Sequence, residues 1–204
     1  RMHDESASDR LFTVTEVVEA TLEEKNSRFL TRLLPYADLA PQLAEMQRLH
    51  PKAVHHVTAW RCFNDRWRIE EKGRDDGEPG GTAGMPALRV LQGAGLIQVA
   101  VIITRYFGGV KLGTGGLARA YGGAAKLAVA AARQERKIIA FVRQATLTLR
   151  ADFGDSGALE QLCADPRIEI SARQFNESGV ALSLAGPEDL LAALEEAWET
   201  RRHR

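Results

Sequence analysis

Acidic side chains are concentrated in one short stretch, where Asp75, Asp76 and Glu78 surround a single glycine. Carboxylates on a glycine loop are candidates for general acid–base work or for holding a hard cation. The pair His55-His56 precedes them in a segment that alternates like a strand. Successive strand residues point to opposite faces, so at most one imidazole can join the carboxylates. We assign His56 to the acidic site.

The carboxylates also have a structural interpretation. Asp and Glu on a loop bind backbone amides, pair with nearby arginines and fix turns. Asp76 and Glu78 would then brace the loop and orient the cations that follow. Both interpretations stay open at the level of the sequence.

Glycines and cations follow the acidic stretch. Fourteen of the 18 glycines lie between Gly73 and Gly123. The 56 residues from Pro79 to Gln134 contain six basic side chains and no acidic one. These six are Arg89, Arg105, Lys111, Arg119, Lys126 and Arg133. A glycine loop at a helix N-terminus offers free N–H groups and the positive end of the helix dipole, which favour an anion.

The sequence therefore predicts a phosphate or nucleic-acid site in this segment. Its predicted members are the cations Arg105, Lys111 and Arg119 and the backbone N–H groups of Gly108, Gly109, Gly113, Gly115 and Gly116. Tyr106, Phe107 and Tyr121 are candidates for stacking on bases. The alternative is that the glycines only permit close packing and that the cations form ordinary surface pairs.

Other motifs are absent or out of context. Gly113–Ala118 matches G-x-G-x-x-A, the pattern of a dinucleotide-binding loop. The loop before it is long for the tight turn that such a site requires, and Glu135, the candidate for the acidic ribose-binding residue, precedes the next strand instead of following it. No P-loop or G-x-S-x-G motif occurs. Cys62 and Cys163 lie far apart without a CxxC pattern, which argues against a disulfide framework or structural zinc. We expect no cofactor and no metal.

Periodicity predicts the elements that position these residues. In the first part, strands are predicted over Phe12–Leu22, Ser27–Leu34, Val54–Phe63, Arg66–Glu71 and Gln98–Thr104, and helices over Asp38–His50, Met85–Gln92 and Leu117–Arg133. The strand at Gln98–Thr104 is nearly all apolar, so we expect it to be buried on both faces. The acidic and basic stretches fall on the predicted loops Lys72–Gly84 and Tyr106–Gly116.

The last third has a different pattern. We predict strands over Ile138–Leu149, Ile168–Gln174 and Val180–Leu184, and helices over Asp155–Ala164 and Pro187–Thr200. The order β-α-β-β-α in under seventy residues is typical of a ferredoxin-like domain. The predicted domains are residues 1–137 and 138–204.

The charge balance limits the function classes. The chain has 27 basic and 27 acidic side chains and is 45% hydrophobic, which excludes a disordered chain or a polycation. No apolar run approaches a membrane span and no signal peptide is visible, so we expect a cytoplasmic protein without membrane contact. The neutral total is a cancellation: residues 1–137 carry 20 basic and 16 acidic side chains, and residues 138–204 carry 7 and 11.

Two segments resemble sequence blocks of one family. Asp75–Gly84 followed by Pro86 resembles the block DDGEPxGTAGxP of the YigZ/Impact family. Thr104–Tyr121 resembles its block TRYFGGxxLGxGGLxRAY. The resemblance is to the bacterial branch and covers most of residues 12–134.

The resemblance implies an α+β fold with two domains. The first would be an α/β sandwich like a domain of a small-subunit ribosomal protein, shared with elongation factor G, and the second would be ferredoxin-like. Eukaryotic Impact proteins regulate translation by competing for an activator of a stress kinase. They carry a different additional domain, so that partner is not expected here. The resemblance carries over no catalytic residues.

The leading hypothesis is a translation-associated regulator that binds RNA or the ribosome through the glycine-rich basic loops. The alternative is an enzyme acting on a small phosphorylated or carboxylated substrate, with Asp75, Asp76 and Glu78 as its chemical groups. A third hypothesis is a protein partner bound by the acidic second domain. We favour binding over catalysis.

Overall fold

The computed structural model describes residues 10–203 and divides between Phe141 and Val142 into two compact units. The division lies a few residues after the expected boundary at residue 137. The reason is that Ile138–Ala140 (β7) pairs antiparallel with Phe12–Val14 (β1) and so belongs to the first unit.

The first unit is built on a five-stranded antiparallel sheet. Its strands are Val18–Glu24 (β2), Ser27–Pro35 (β3), His55–Phe63 (β4), Ile69–Arg74 (β5) and Val99–Tyr106 (β6), in the order β2-β3-β6-β4-β5. The central strand β6 is buried along almost its whole length, as its continuous apolar sequence predicts.

Helices cover both faces of this sheet. After a 3₁₀ turn at Tyr36–Asp38 the chain forms Leu39–Leu49 (α1), and later Gly84–Gly93 (α2) and Gly113–Gln134 (α3). Alternate residues of β6 separate the two faces: Val101 and Ile103 pack in the core of α2 and α3, and Ala100 and Ile102 pack in the smaller core under α1.

The second unit has the predicted order of elements. These are Gln144–Asp152 (β8), Ser156–Leu162 (α4), Glu169–Phe175 (β9), Gly179–Pro187 (β10) and Glu188–Arg202 (α5). The sheet order is β8-β10-β9, with β10 antiparallel to both neighbours. Leu159, Leu182 and Trp198 are buried in its own core. This sheet has three strands in the described residues, whereas a complete ferredoxin-like domain has four.

Two predicted strands are wrong in the same way. Phe12–Leu22 is divided into β1 and β2, and Ile138–Leu149 is divided into β7 and β8. In each case the two halves belong to different sheets, so the strand is interrupted between them.

The two cysteines, Cys62 and Cys163, are free and buried. Cys62 is a small core residue on β4, as its place in an alternating strand predicts. None of the helices described between residues 10 and 203 is both long and apolar enough to cross a bilayer.

Candidate nucleic-acid interface

The loop between β5 and α2 is organised around Asp75. Its Oδ1 accepts hydrogen bonds from the backbone N–H groups of Ala83 at 3.1 Å and Gly84 at 2.9 Å, and its Oδ2 accepts from Gly81 at 2.9 Å. Burial raises the pKa of Asp75, but the three hydrogen bonds outweigh burial and lower it. Because Gly84 begins α2, this carboxylate satisfies orphan donors at the helix N-terminus.

Glu78 is buried and binds two basic side chains. Its Oε1 accepts a hydrogen bond from Nη1 of Arg105 at 2.6 Å and lies 2.8 Å from Nε2 of His55. The side chains of Glu78 and Arg105 are only 2% and 7% exposed. Nη2 of Arg105 donates to Ser27 Oγ at 3.3 Å. The structure therefore directs the Arg105 guanidinium inward, toward Glu78.

Aromatic rings enclose this pair. The guanidinium carbon of Arg105 lies 5.6 Å from the ring centroid of Phe29 and 5.7 Å from that of Phe107. Burial, together with the Glu78 carboxylate, raises the pKa of Tyr121, and Arg105 opposes this. The Tyr121 hydroxyl is buried beside Glu78 and Arg105.

The three rings predicted to stack on bases differ in access. Tyr121 is fully buried, and Tyr106 is half-buried with its hydroxyl 2.8 Å from Nδ1 of His50. Phe107 is 50% exposed. Phe107 is therefore the ring of the three most open to a base.

His55, and not His56, places its side chain among the acidic residues. His55 pairs with Arg105 in the sheet and has Nδ1 2.6 Å from the carbonyl oxygen of Asp76. His56 lies on the opposite face with Nδ1 2.8 Å from Thr104 Oγ1, and its backbone N–H donates to Asp76 Oδ2 at 2.7 Å. Burial lowers the pKa of His56, and Asp76 opposes this. Strand alternation separates the two histidines, but only the register with β6 shows which one faces Glu78.

The predicted glycine loop crosses closely over the turn between β2 and β3. A Cβ on Gly108 would lie 2.1 Å from the backbone carbon of Asn26, so only glycine fits there. The Gly108 N–H donates to Ser27 Oγ at 3.3 Å. Gly109 follows with a positive φ of 85°, and Lys111 is exposed further along the same loop.

The remaining predicted glycines belong to α3. The helix begins at Gly113, so Gly113, Gly115 and Gly116 lie in its first turn instead of in the loop. Arg119 lies back along this turn, with Nη1 3.4 Å from where a Cβ on Gly115 would be. This brings the Arg119 guanidinium toward the N-terminus of α3.

A basic groove of about 720 Å³ lies between α2 and α3. Among the residues that the structure describes, its lining includes four exposed cations and no acidic residue. The cations are Arg89 on α2 and Arg119, Lys126 and Arg133 on α3. Within the described residues, none of the four forms an ion pair with a carboxylate. The rest of the lining is small or moderately apolar: Pro86, Val90, Gly93, Ala94, Ala118, Gly122, Gly123 and Val129.

Of the three predicted cations, the groove contains Arg119. Arg105 is buried against Glu78, and Lys111 stands in the exposed loop before α3. Sequence reasoning did not assign Arg89, Lys126 and Arg133 to the site. Two signals could have found them: the segment without acidic residues, and the seven-residue spacing of the three cations on α3, which places them on one helix face.

The described residues contain no group of three or more His, Cys, Asp or Glu side chains arranged to hold a metal ion. The charged groups that line the groove are the four cations, so its side chains can attract an anion electrostatically. The acidic loop is hydrogen-bonded to the first residues of α2 and of β4, through Asp75 and Asp76 respectively.

Comparison with known proteins extends over both units. The family model described as the Impact N-terminal domain matches residues 25–129. An IMPACT family member of Haemophilus influenzae is 36% identical over 156 residues, which are 75% of this chain and 74% of that protein. The IMPACT family member YigZ of Escherichia coli is 41% identical over 119 residues, 56% of this chain and 58% of that protein.

A solved structure has a similar fold. It is the crystal structure of a hypothetical protein, with 28% sequence identity and a TM-score of 0.63, and the match covers 93% of this chain and 91% of that one. The curated relatives are spanned less completely, at about three quarters and somewhat more than half of their lengths. With a family model covering half of the sequence and a relative matched over most of its length, this chain belongs to the Impact family.

Proposed function

We propose that this protein binds RNA by its phosphate backbone in the groove between α2 and α3, and that it acts as a regulator associated with translation. The observation that carries the proposal is the lining of the groove, which between residues 10 and 203 has four cations and no carboxylate. Phosphate contacts supply most of the affinity of sequence-independent nucleic-acid binding.

The spacing of the cations suits an extended polyanion. Arg119, Lys126 and Arg133 are seven residues apart, which corresponds to about 10.5 Å between neighbours along a helix rising 1.5 Å per residue. Arg89 faces this row from the other wall. A row of cations along a groove follows the charges of a backbone and has no means of identifying individual bases.

An acidic peptide is a less suitable occupant. Peptide helices that bind in grooves rely on large apolar anchors and on the pockets that receive them. No exposed large hydrophobic side chain of the described residues lines this groove; the nearest in sequence, Met85 and Leu127, lie outside its lining.

The structure gives the enzyme alternative less support. Both oxygens of Asp75 accept backbone N–H groups, and Glu78 is buried against Arg105 and His55. Asp76 is exposed, with Oδ2 accepting the backbone N–H of His56. These contacts fit the bracing role for the carboxylates. The assignment to translation rests on the resemblance to Impact proteins that regulate it.

Removing two groove cations should weaken RNA binding. We expect Arg119→Ala/Lys126→Ala to lower the affinity for a labelled RNA by at least about tenfold at low salt, because each charged hydrogen bond contributes about 1.5–3 kcal/mol. The slope of log K against log salt should become shallower by about 1.4 on a single strand. Fluorescence anisotropy across a salt series measures both quantities.

The matched control is Arg48→Ala/Lys52→Ala. It removes the same two charges from exposed positions in and just after α1, the helix on the opposite face of the sheet. It should bind RNA like the wild type, apart from a small loss of long-range electrostatic attraction that salt screens. Equal losses in the two double variants, or no loss in the groove variant, would refute the groove as the RNA site.

A further inference from the structure

The floor of the groove has a gap that packing does not require. Gly122 lies in the middle of α3 and lines the groove. A Cβ added there would meet its nearest neighbours, Cβ and the carbonyl oxygen of Pro86, at 3.9 Å, which is ordinary contact. Its φ is not in the left-handed region. An alanine would therefore fit, and it would favour the helix more than glycine does.

Other glycines of this unit have an evident structural reason. A Cβ on Gly84 would lie 2.4 Å from the backbone nitrogen of Arg74, so α2 can approach β5 only with glycine there. Gly122 has no such neighbour. Without a side chain, Gly122 leaves the α3 main chain uncovered in the groove lining, between Arg119 and Lys126 along the helix.

The two helices are in direct contact beneath this gap. Pro86 on α2 and Gly122 on α3 face each other at the floor. The axes of helices in contact lie about 8–10 Å apart, which sets the scale of the separation between the two walls of this channel. An A-form duplex carries its two backbones on either side of a wide, shallow minor groove, and it would meet only the rim of such a channel. An unpaired strand can turn its sugar–phosphate chain to the floor.

We infer that the groove takes a single unpaired RNA strand, whose backbone descends to the α3 main chain at Gly122 while its bases face outward. This inference rests on the proposed RNA binding and adds the class of RNA to it. Phosphates would lie between Arg89 on one wall and Arg119 and Lys126 on the other. Bases facing outward leave no contact that distinguishes one sequence from another.

The test compares single-stranded with double-stranded RNA, and it places an alanine at Gly122 in the full chain. A single-stranded oligouridylate should bind at least about tenfold more tightly than a fully paired RNA duplex of the same length. Gly122→Ala should raise Tm by about 2–4 °C and weaken oligouridylate binding about tenfold, as overfilling a fitted site does. Gly93→Ala, whose Cβ would meet nothing within 4 Å, narrows the other wall and should act in the same direction.

The matched control is Gly157→Ala in α4 of the second unit, where a Cβ also meets nothing within 4 Å. It should leave RNA affinity unchanged. Equal binding of duplex and single strand, or wild-type binding by both groove glycine variants, would overturn the inference while the proposed function stands. If Arg119→Ala/Lys126→Ala bound RNA as tightly as the wild type, the proposed function itself would be refuted. Competition by polyglutamate equal to that by RNA would show that the groove takes acidic peptides.

Discussion

Arg105 and Arg119 are both basic residues of the same glycine-rich segment, yet they have opposite surroundings. Arg105 is 6% exposed and hydrogen-bonded to Glu78, whereas Arg119 is exposed on the groove. The nearby Glu78 carboxylate offsets the positive potential of the Arg105 guanidinium, so Arg105 attracts a further anion only weakly. At the scale of the residue, Arg105 therefore holds the loop in place, and Arg119 is the one of the two that the proposed phosphate contact would use.

Removing the charge of Glu78 should destabilise the fold. We expect Glu78→Gln to lower the free energy of unfolding by about 3–5 kcal/mol, because Arg105 would remain buried without its opposite charge. Urea denaturation measures the loss. Glu24→Gln, at an exposed position of β2, is the control and should change stability by less than about 0.5 kcal/mol.

Replacing both members of the pair separates stability from binding. Glu78→Leu/Arg105→Met should recover most of the stability, since a well-packed apolar pair often substitutes for a buried ion pair. If Arg105 acts only by holding the loop, the double variant should also keep its RNA affinity. A refolded double variant that has lost affinity would place Arg105 among the RNA contacts.

At the scale of the element, Asp75 shows how one wall of the groove is anchored. Its carboxylate is eight and nine residues before the N–H groups of Ala83 and Gly84 that it binds. Local capping patterns look no further than three residues, so they do not find it. The contact ties the end of β5 to the first turn of α2 and so fixes the wall that carries Arg89.

Asp75→Asn should lower stability by about 1 kcal/mol at pH 7, in the range of a lost helix cap. Hydrogen bonding lowers the pKa of Asp75 in the folded state, so its contribution is present above the unfolded value of about 3.9 and is lost as pH falls below it. The difference between wild type and variant should therefore shrink between pH 5 and acid conditions. Urea titrations at several pH values measure it, with Asp65→Asn in the exposed turn after β4 as control. A difference that is constant with pH would contradict the cap.

The elements near the site differ in how well their sequences predict them. The apolar run of β6 and the alanine-rich α3 are determined by local composition and both form, although α3 begins at Gly113, before the predicted start at Leu117. The long strands at Phe12–Leu22 and Ile138–Leu149 are divided, because the choice of pairing partner depends on distant parts of the chain.

The site was harder to predict than the fold. The cations were visible as a group in the sequence, but burial assigns Arg105 to the interior and helix geometry joins Arg119 to Lys126 and Arg133. Which histidine faces Glu78 depends on the register of β4 against β6. The burial of Arg105 and the register of β4 depend on long-range contacts that residue types and spacing do not encode, whereas the seven-residue spacing of the cations on α3 is visible in the sequence.

At the scale of the whole molecule, the chain is two units with separate cores. The core of the first is centred on β6, α2 and α3, and that of the second on β10, α4 and α5. The charges are also distributed unequally between the two units. The basic groove lies in the first unit, and acidic side chains outnumber basic ones in the last third of the sequence. RNA binding should therefore depend on the first unit.

A cavity in the second core should stay local. Leu182→Ala, at a fully buried position of β10, should destabilise the second unit by about 2–5 kcal/mol. Hydrogen exchange should accelerate over residues 142–203 and stay unchanged over residues 10–141, with RNA affinity preserved. Faster exchange throughout both units would show that they unfold together.

The position of His55 has a consequence for how the sheet and the loop are joined. Its Nδ1 lies 2.6 Å from the Asp76 carbonyl oxygen, and its Nε2 lies 2.8 Å from the Glu78 carboxyl group. One imidazole on β4 therefore holds the loop at two points, at its backbone and at a buried side chain. Because that loop leads into α2, the helix that carries Arg89 is tied to the sheet through this ring as well as through Asp75.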